Sequence, residues 1–229
     1  MDKQKSKKRN IIIGTLGSLS KETLDFFSLR FNVTEISFEQ MIETGKSVNL
    51  LFFPGGPDVS PDIYGEQKGK YTISDKKRDN IFLKIFENWY HIPKLGICGG
   101  AQFLTVASGG KLIQHVEGHN KGPHDMSVHF DGNTNPSKFK ITSTHHQMMY
   151  PFNLDSSKYQ LLGWASRFKS LVYLDGENKQ KELPNKFVEP EIVYYPSTRS
   201  LAIQGHPEHA ECSDNTRDLC LTLIEDYLY

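Results

Sequence analysis

The sequence predicts an α/β protein, a three-layer αβα sandwich with a mainly parallel central sheet and a small antiparallel addition. Three observations predict it. Through the first half of the chain, short apolar runs alternate with segments of helical periodicity. The run from Asn49 to Phe53 is apolar at successive positions, as expected of a strand covered by helices on both faces. A strongly amphipathic segment, Asp75 to Tyr90, passes through a short loop into an apolar run that opens at Pro93, and such βα-type units imply parallel strands with right-handed crossovers.

Taken in order, Ile11 to Ile13 reads as a buried strand ending at Gly14. Ser18 or Ser20 then caps a helix through Arg30, with Leu24, Phe27 and Leu29 on its apolar side. Phe31 to Ile36 is a second strand and Phe38 to Thr44 a short helix. The helix from Asp75 carries Ile81, Phe82, Ile85, Phe86 and Trp89 on one side, and Lys76, Lys77, Arg78, Lys84, Glu87 and Asn88 on the polar side. After a helix beginning near Gly99, Gly109-Gly110 is the stop, and Lys111 to His115 a short strand.

Val116 to Thr134 reads mostly as loop and edge strand, with His119, His124 and His129 as surface or supporting residues. Phe139 to Ile141, Leu161 to Ala165, Leu171 to Leu174, Glu191 to Tyr195 and Leu201 to Gln204 are short strands, the last four forming the antiparallel addition. The charged segment between Asp175 and Pro190 reads as a solvated excursion. A final helix starts at Ser213 or Asp214 and carries Leu219, Leu223, Ile224 and Tyr227. With no repeat, low-complexity tract or linker, residues 1–229 read as one domain, preceded over 1–9 by a flexible basic tail.

Composition narrows the function. The 229 residues have zero formal net charge, which gives no basic stripe for bulk nucleic-acid binding. The basic N-terminus is followed only by Ile11-Ile12-Ile13, too short for a signal sequence or a membrane span. Three cysteines make no disulfide framework, so a reducing cytoplasm is the expected compartment, with Cys212 and Cys220 structural. No C-x-x-C pair is present and the nine histidines show no ligand spacing, so no metal site is expected.

The chemistry gathers at PKLGICGGAQ (93–102), which reads as strand, sharp turn and helix with Cys98 at the turn. Glycines permit a strained backbone there, a helix N-terminus favours an anionic sulfur, and the Gly99 N–H is free to meet an oxyanion. Alone, such a cysteine is as often a small buried hydrophobe. Two further stretches reduce that reading. Pro54-Gly55-Gly56-Pro57-Asp58 ends a buried strand where open α/β sheets place ligands, and leaves backbone N–H groups exposed. In Gln204-Gly205-His206-Pro207-Glu208, extended backbone puts residues 206 and 208 on one side, so the Glu208 carboxylate can fix the His206 imidazole.

Together FFPGGPDVSPDIYGE (52–66), RD (78–79), LGICGGAQ (95–102), STHHQ (143–147) and QGHPE (204–208) make the chain resemble a class I glutamine amidotransferase domain, with the flavodoxin-like fold of that superfamily. Within it, the chain is most similar to the γ-glutamyl hydrolase and γ-glutamyl-γ-aminobutyrate hydrolase branch, peptidase C26. The resemblance implies Cys98 as nucleophile, His206 as general acid/base, Glu208 as its partner, and the N–H groups of Gly56 and Gly99 as oxyanion hole. It places Gln102, His145, His146, Gln147 and Tyr64 at the substrate. It implies no metal or organic cofactor and a small-molecule partner, either glutamine or a γ-glutamyl compound. Gly99 stands where that branch often has Arg, which bears on substrate identity. Three functions stay open: a γ-glutamyl hydrolase, a glutaminase component serving a separate synthase, and an idle binding or regulatory member of the fold.

Overall fold

The computed structural model describes residues 8–129 and 136–229. Most of the expected basic tail lies outside the described residues, as does the end of the Val116 to Thr134 segment, while Arg9 already belongs to the first strand.

The first half alternates strand and helix. In order come β1 (Arg9–Thr15), α1 (Lys21–Ser28), β2 (Phe31–Ser37), α2 (Phe38–Thr44), β3 (Leu50–Phe53), α3 (Lys76–Asn88), β4 (Lys94–Ile97) and α4 (Gly99–Ala107). Side-chain oxygens of Ser20, Ser37 and Asp75 accept from the first-turn N–H groups of α1, α2 and α3, and Gly45 closes α2 in the left-handed conformation at φ 66°. The second half is strand-rich: β5 (Lys111–Ile113), β6 (His115–Val116), β7 (His124–Val128), β8 (Ser137–Ile141), β9 (Met148–Tyr150), β10 (Gln160–Ala165), β11 (Tyr173–Leu174), β12 (Pro190–Tyr195) and β13 (Ser200–Ile203). Helix α5 (Asp214–Leu228), capped by Ser213, ends the chain.

Among the described residues, nine strands form one sheet in the order β2-β1-β3-β4-β13-β12-β10-β7-β8. The first five run parallel; β12, β10, β7 and β8 continue the sheet antiparallel to their neighbours. The placing of Leu201 to Gln204 in the antiparallel addition is therefore corrected. Strand β13 pairs in parallel with β4, Leu201 against Leu95 and Ile203 against Ile97, and the antiparallel strands start at β12. This matters for the site, because adjacent parallel strands deliver their C-terminal ends to the same edge.

Helices cover both faces. Phe26 and Phe27 of α1 and Leu219, Leu223 and Ile224 of α5 pack on one face, against Ile11, Ile13, Phe52, Leu95 and Leu201. On the other, Phe38, Phe82 and Phe103 of α2, α3 and α4 surround Phe53 of β3, with centroids 5.0 Å from Phe82 and 5.1 Å from Phe103. Each such ring pair adds about 0.5–1.5 kcal/mol beyond the burial itself. The charged segment after Asp175 is only partly a solvated excursion: Phe187 packs on Tyr150 and Tyr173, and Glu189 is buried. Cys212 and Cys220 are buried free thiols, pushed up from the usual thiol range by burial, Cys212 to about 11.

Candidate active site

Strand β4 ends at Ile97, and the chain turns through Cys98 directly into α4. Cys98 has φ 51° and ψ −110°, a conformation that a non-glycine residue adopts only when its surroundings enforce it, at a cost of roughly 1–3 kcal/mol. The enforcement is visible on both sides. The Cys98 N–H donates to the Ile203 carbonyl at the end of β13 over 2.9 Å, and α4 is pressed against the end of β3. That approach tolerates no side chain: a Cβ on Gly100 would stand 1.8 Å from the Phe53 carbonyl oxygen.

The second component comes from the segment after β13. His206 is anchored by its N–H to the Thr142 carbonyl at 2.8 Å, and its Nδ1 lies 2.8 Å from Glu208 Oε1. Its other ring nitrogen is left free of Glu208, and Cys98 is among the groups that raise the ring. Burial alone would discharge the ring, but Cys98 and Glu208 outweigh it and raise His206 to about 10. His209 stacks on the His206 ring at 4.2 Å and 13°. Gly55 covers the pair, since a Cβ there would lie 3.4 Å from His206 Cε1 and 3.5 Å from Cys98 Cβ.

The third component is the loop after β3. Gly56 has φ 151°, open essentially to glycine alone. A Cβ on Gly99 would come within 3.1 Å of the Gly56 nitrogen, so the loop backbone and the start of α4 meet at glycine on both sides. As the first residue of α4, Gly99 has no intrahelical acceptor for its N–H.

Behind this loop lies a feature that departs from the sequence reading. Arg78 is not on the polar side of α3; it is 6% exposed, beside Asp79 at 1%. Its guanidinium donates to the carbonyls of Pro57 and Asp58 and pairs with Asp79 Oδ1 at 2.6 Å, while Asp79 Oδ2 accepts the Ser60 N–H at 2.8 Å. Planar donors and acceptors from one helix thus hold successive peptides of the loop. The signal was present in the sequence, since 78, 82 and 85 share the i, i+4, i+7 stripe of the buried face.

A cleft of about 220 Å³ opens at Cys98, lined by Gly56, Asp58, Gln102, His145, His146 and Gln147 among others. Gln102 Nε2 donates to the Gln147 carbonyl at 2.9 Å, and Gln147 Nε2 to Thr72 Oγ1 at 3.0 Å. His146 faces Asp58 at 3.2 Å across the cleft wall, and the carboxylate raises it above the usual imidazole range against the opposing effect of burial. His145 turns inward, where burial holds it well below that range. Tyr64 is elsewhere. It packs with the Phe38 and Phe82 core, its hydroxyl makes no hydrogen bond, and it does not line the cleft.

The Val116 to Thr134 reading also needs correction. His124 opens β7, which lies inside the main sheet, and His119 and His124 are buried with Glu189 and Glu191 of the β12 segment. No local pattern announces this grouping, because its members come from separate segments that meet only through sheet order. The arrangement as a whole places a sulfur at the mouth of one small cleft, with an imidazole fixed by a carboxylate and a glycine-rich loop beside it. That is equipment for acyl transfer through a covalent intermediate.

Comparison with known proteins identifies the family of the chain. Residues 32–157 match the peptidase C26 family. A glutamine amidotransferase-like protein of Lactococcus lactis is 31% identical over 120 residues, covering 44% of this chain and 51% of that protein. A candidate glutamine amidotransferase of Mycobacterium tuberculosis is 28% identical over 179 residues, covering 71% of this chain and 51% of that one. The chain thus spans about half the length of these curated relatives. Among solved structures, a protein described as a GMP synthase subunit, from Thermoplasma acidophilum, superposes with TM-score 0.63 at 16% identity, covering 95% of this chain and 94% of that one. A chain of PurLQS from Thermotoga maritima does so with 0.61 at 14%, covering 97% and 100%. At these identities the superpositions show the shared fold.

The geometry sets two expected outcomes. Arg78→Met strands the buried Asp79 carboxylate and is expected to cost about 3–5 kcal/mol in urea unfolding. In Arg78→Met/Asp79→Asn much of that stability returns, whereas reaction at Cys98 stays down about tenfold or more because the loop carbonyls have lost their donors; recovery of both together would contradict the positioning role. His206, raised from 6.5 in the unfolded chain to about 10, stabilises the fold fully below pH 6.5 and loses that contribution as pH rises through 10. The stability advantage of wild type over His206→Gln should therefore shrink between pH 6.5 and 10 in urea titrations, and a gap that widens over that range would be inconsistent with it.

Proposed function

The chain belongs to the peptidase C26 family of class I glutamine amidotransferase-like proteins, and on that premise we propose that it hydrolyses a γ-glutamyl amide bond through a γ-glutamyl thioester on Cys98. The observation that carries this reading is Cys98 on its strained turn, packed under Gly55 beside a His206 ring whose Nδ1 Glu208 holds at 2.8 Å.

The steps follow from these positions. The sulfur attacks the side-chain carbonyl carbon of glutamine or a γ-glutamyl amine, and the carbonyl oxygen takes up the negative charge between the N–H groups of Gly56 and Gly99. Donors placed this way contribute about 3–4 kcal/mol each where one has been removed. The His206 imidazolium gives the proton on its outer nitrogen to the departing nitrogen, the C–N bond breaks, and ammonia or amine leaves. His206, now neutral, takes a proton from water as that water attacks the thioester. A second oxyanion collapses, glutamate departs, and the sulfur and imidazolium are restored. Glu208 keeps the imidazole in one tautomer and supports its charge.

The Asp58–His146 pair and the inward amide of Gln102 suit a substrate end that carries both charges of an amino acid. A second reading, in which ammonia passes to a separate synthase, draws on the fold shared with PurLQS and with the protein described as belonging to a GMP synthase.

The test is release of ammonia, amine and glutamate from glutamine and a panel of γ-glutamyl amides. Wild type should turn over at least one γ-glutamyl amide, Cys98→Ala none, and Glu208→Gln about 10²–10⁴-fold more slowly in kcat. Turnover of glutamine alone supports the synthase-linked reading, and turnover that survives Cys98→Ala sinks both.

A further inference from the structure

We propose that His119, His145 and Glu191 bind one divalent transition-metal ion, zinc foremost, in a buried site behind the wall of the cleft. The three come from separate segments: the turn between β6 and β7, the loop between β8 and β9, and strand β12. Their ligand atoms lie within 4.8 Å of one another, and their side chains are closed off from solvent, with His119 and Glu191 at 0% and His145 at 3% exposure.

The hydrogen-bond pattern is that of ligands rather than of a completed polar network. His145 Nδ1 is 2.8 Å from the Gln147 carbonyl, which can only accept, so Nδ1 carries the hydrogen and Nε2 carries a lone pair. That Nε2 is buried and receives no hydrogen bond. A metal-binding histidine typically donates its other N–H to a carbonyl or carboxylate in this way. His119 has Glu189 Oε2 at 3.2 Å from Nε2 and Glu191 Oε1 at 3.5 Å from Nδ1, yet neither contact has hydrogen-bond geometry. Glu191 Oε2 makes no hydrogen bond either. Ordinary interiors leave few polar atoms in this condition, and a group of them in one place points to a ligand they share.

Charge and coordination chemistry agree. Glu189 and Glu191 are buried, and among the described residues their ion-pair partners are histidines alone. Glu189 accepts from the N–H groups of Lys169 and Ser170 and from the Tyr173 hydroxyl, so the carboxylate left for a cation to neutralise is that of Glu191. Two imidazoles and a carboxylate are an established zinc donor set, with the fourth position left to water. Ligand atoms about 2.0–2.2 Å from zinc stand roughly 3.3–3.5 Å apart in a tetrahedron. His119 Nδ1 and Glu191 Oε1, 3.5 Å apart, already have that separation, and His145 offers its ligand nitrogen within 4.8 Å of them. The outer contacts exist as well: His124 Nε2 holds Glu191 Oε1 at 2.8 Å, and Glu189 stands beside His119. The ion ties β12 to the loop that presents His145, His146 and Gln147 to the cleft. The proposal does not depend on the reaction proposed at Cys98.

The test uses the full chain produced with zinc in the medium, desalted and analysed by plasma mass spectrometry. The expected result is about one zinc per chain, a cobalt(II) form with intense tetrahedral visible absorption, and a Tm that falls when a chelator strips the ion. Glu191→Gln and His119→Ala should retain less than a tenth of the metal, while His209→Ala, in the separate group with His206 and Glu208, keeps it. Because those variants can also fail to fold, the wild-type cobalt spectrum and chelator response decide independently. Less than a tenth of an equivalent in wild type, with no cobalt band and no change in Tm, overturns the proposal. Metal lost in His209→Ala and kept in Glu191→Gln overturns it too, by placing the ion at the His206 group.

Discussion

The backbone of Cys98 is the constraint on which the rest of the structure depends. A φ of 51° at a non-glycine residue persists only if the chain on both sides is fixed, and here the fixing elements are the parallel centre of the sheet and the helix that follows. Strand β13 takes the Cys98 N–H, β3 meets Gly100 of α4 at a distance that excludes any side chain, and the Phe53, Phe82 and Phe103 rings hold β3, α3 and α4 together beneath the turn. The same strand order that packs this core brings the ends of β3, β4 and β13 to one edge. The glycine loop, the sulfur and the imidazole are thereby neighbours without being close in sequence.

The site is held as rigidly from behind as from below. Arg78 and Asp79 place a buried ion pair against the loop that carries Gly56, an arrangement that adds little as stability alone, since desolvation offsets most of the attraction. It makes sense as positioning. A guanidinium bonded to the carbonyls of Pro57 and Asp58 fixes the two peptides that follow Pro57, and with them the run of the loop just after Gly56. On the cleft's other wall, inward-turned His145 and outward-turned His146 divide the labour, one joined to the buried histidine and glutamate group and the other paired with Asp58.

How much of this the sequence discloses depends on the range of the interaction. Local rules succeed where the determinants are local. Helix α2 runs over Phe38–Thr44 as read, because Ser37 and Gln40 form a capping box and Gly45 supplies the left-handed stop. The turn at Cys98 and the spacing of His206 and Glu208 are legible for the same reason. Strand direction is not written locally, so β13 reads as part of the antiparallel addition although β4 is its parallel neighbour. The histidine group is hidden altogether, since His119, His124 and His145 meet only once β7, β10 and β12 have paired. Tyr64 shows the reverse case, a residue in a family-like motif whose side chain the fold assigns to the core.

Covalent chemistry at one sulfur atom is the central claim, and the direct measurement is mass spectrometry of the enzyme quenched in acid while turning over a γ-glutamyl amide. A thioester mechanism predicts a γ-glutamyl adduct on the tryptic peptide that contains Cys98, absent when substrate is omitted and absent in Cys98→Ala. Turnover with no adduct on any peptide under conditions where deacylation is slowed, or an adduct on a residue other than Cys98, would contradict it.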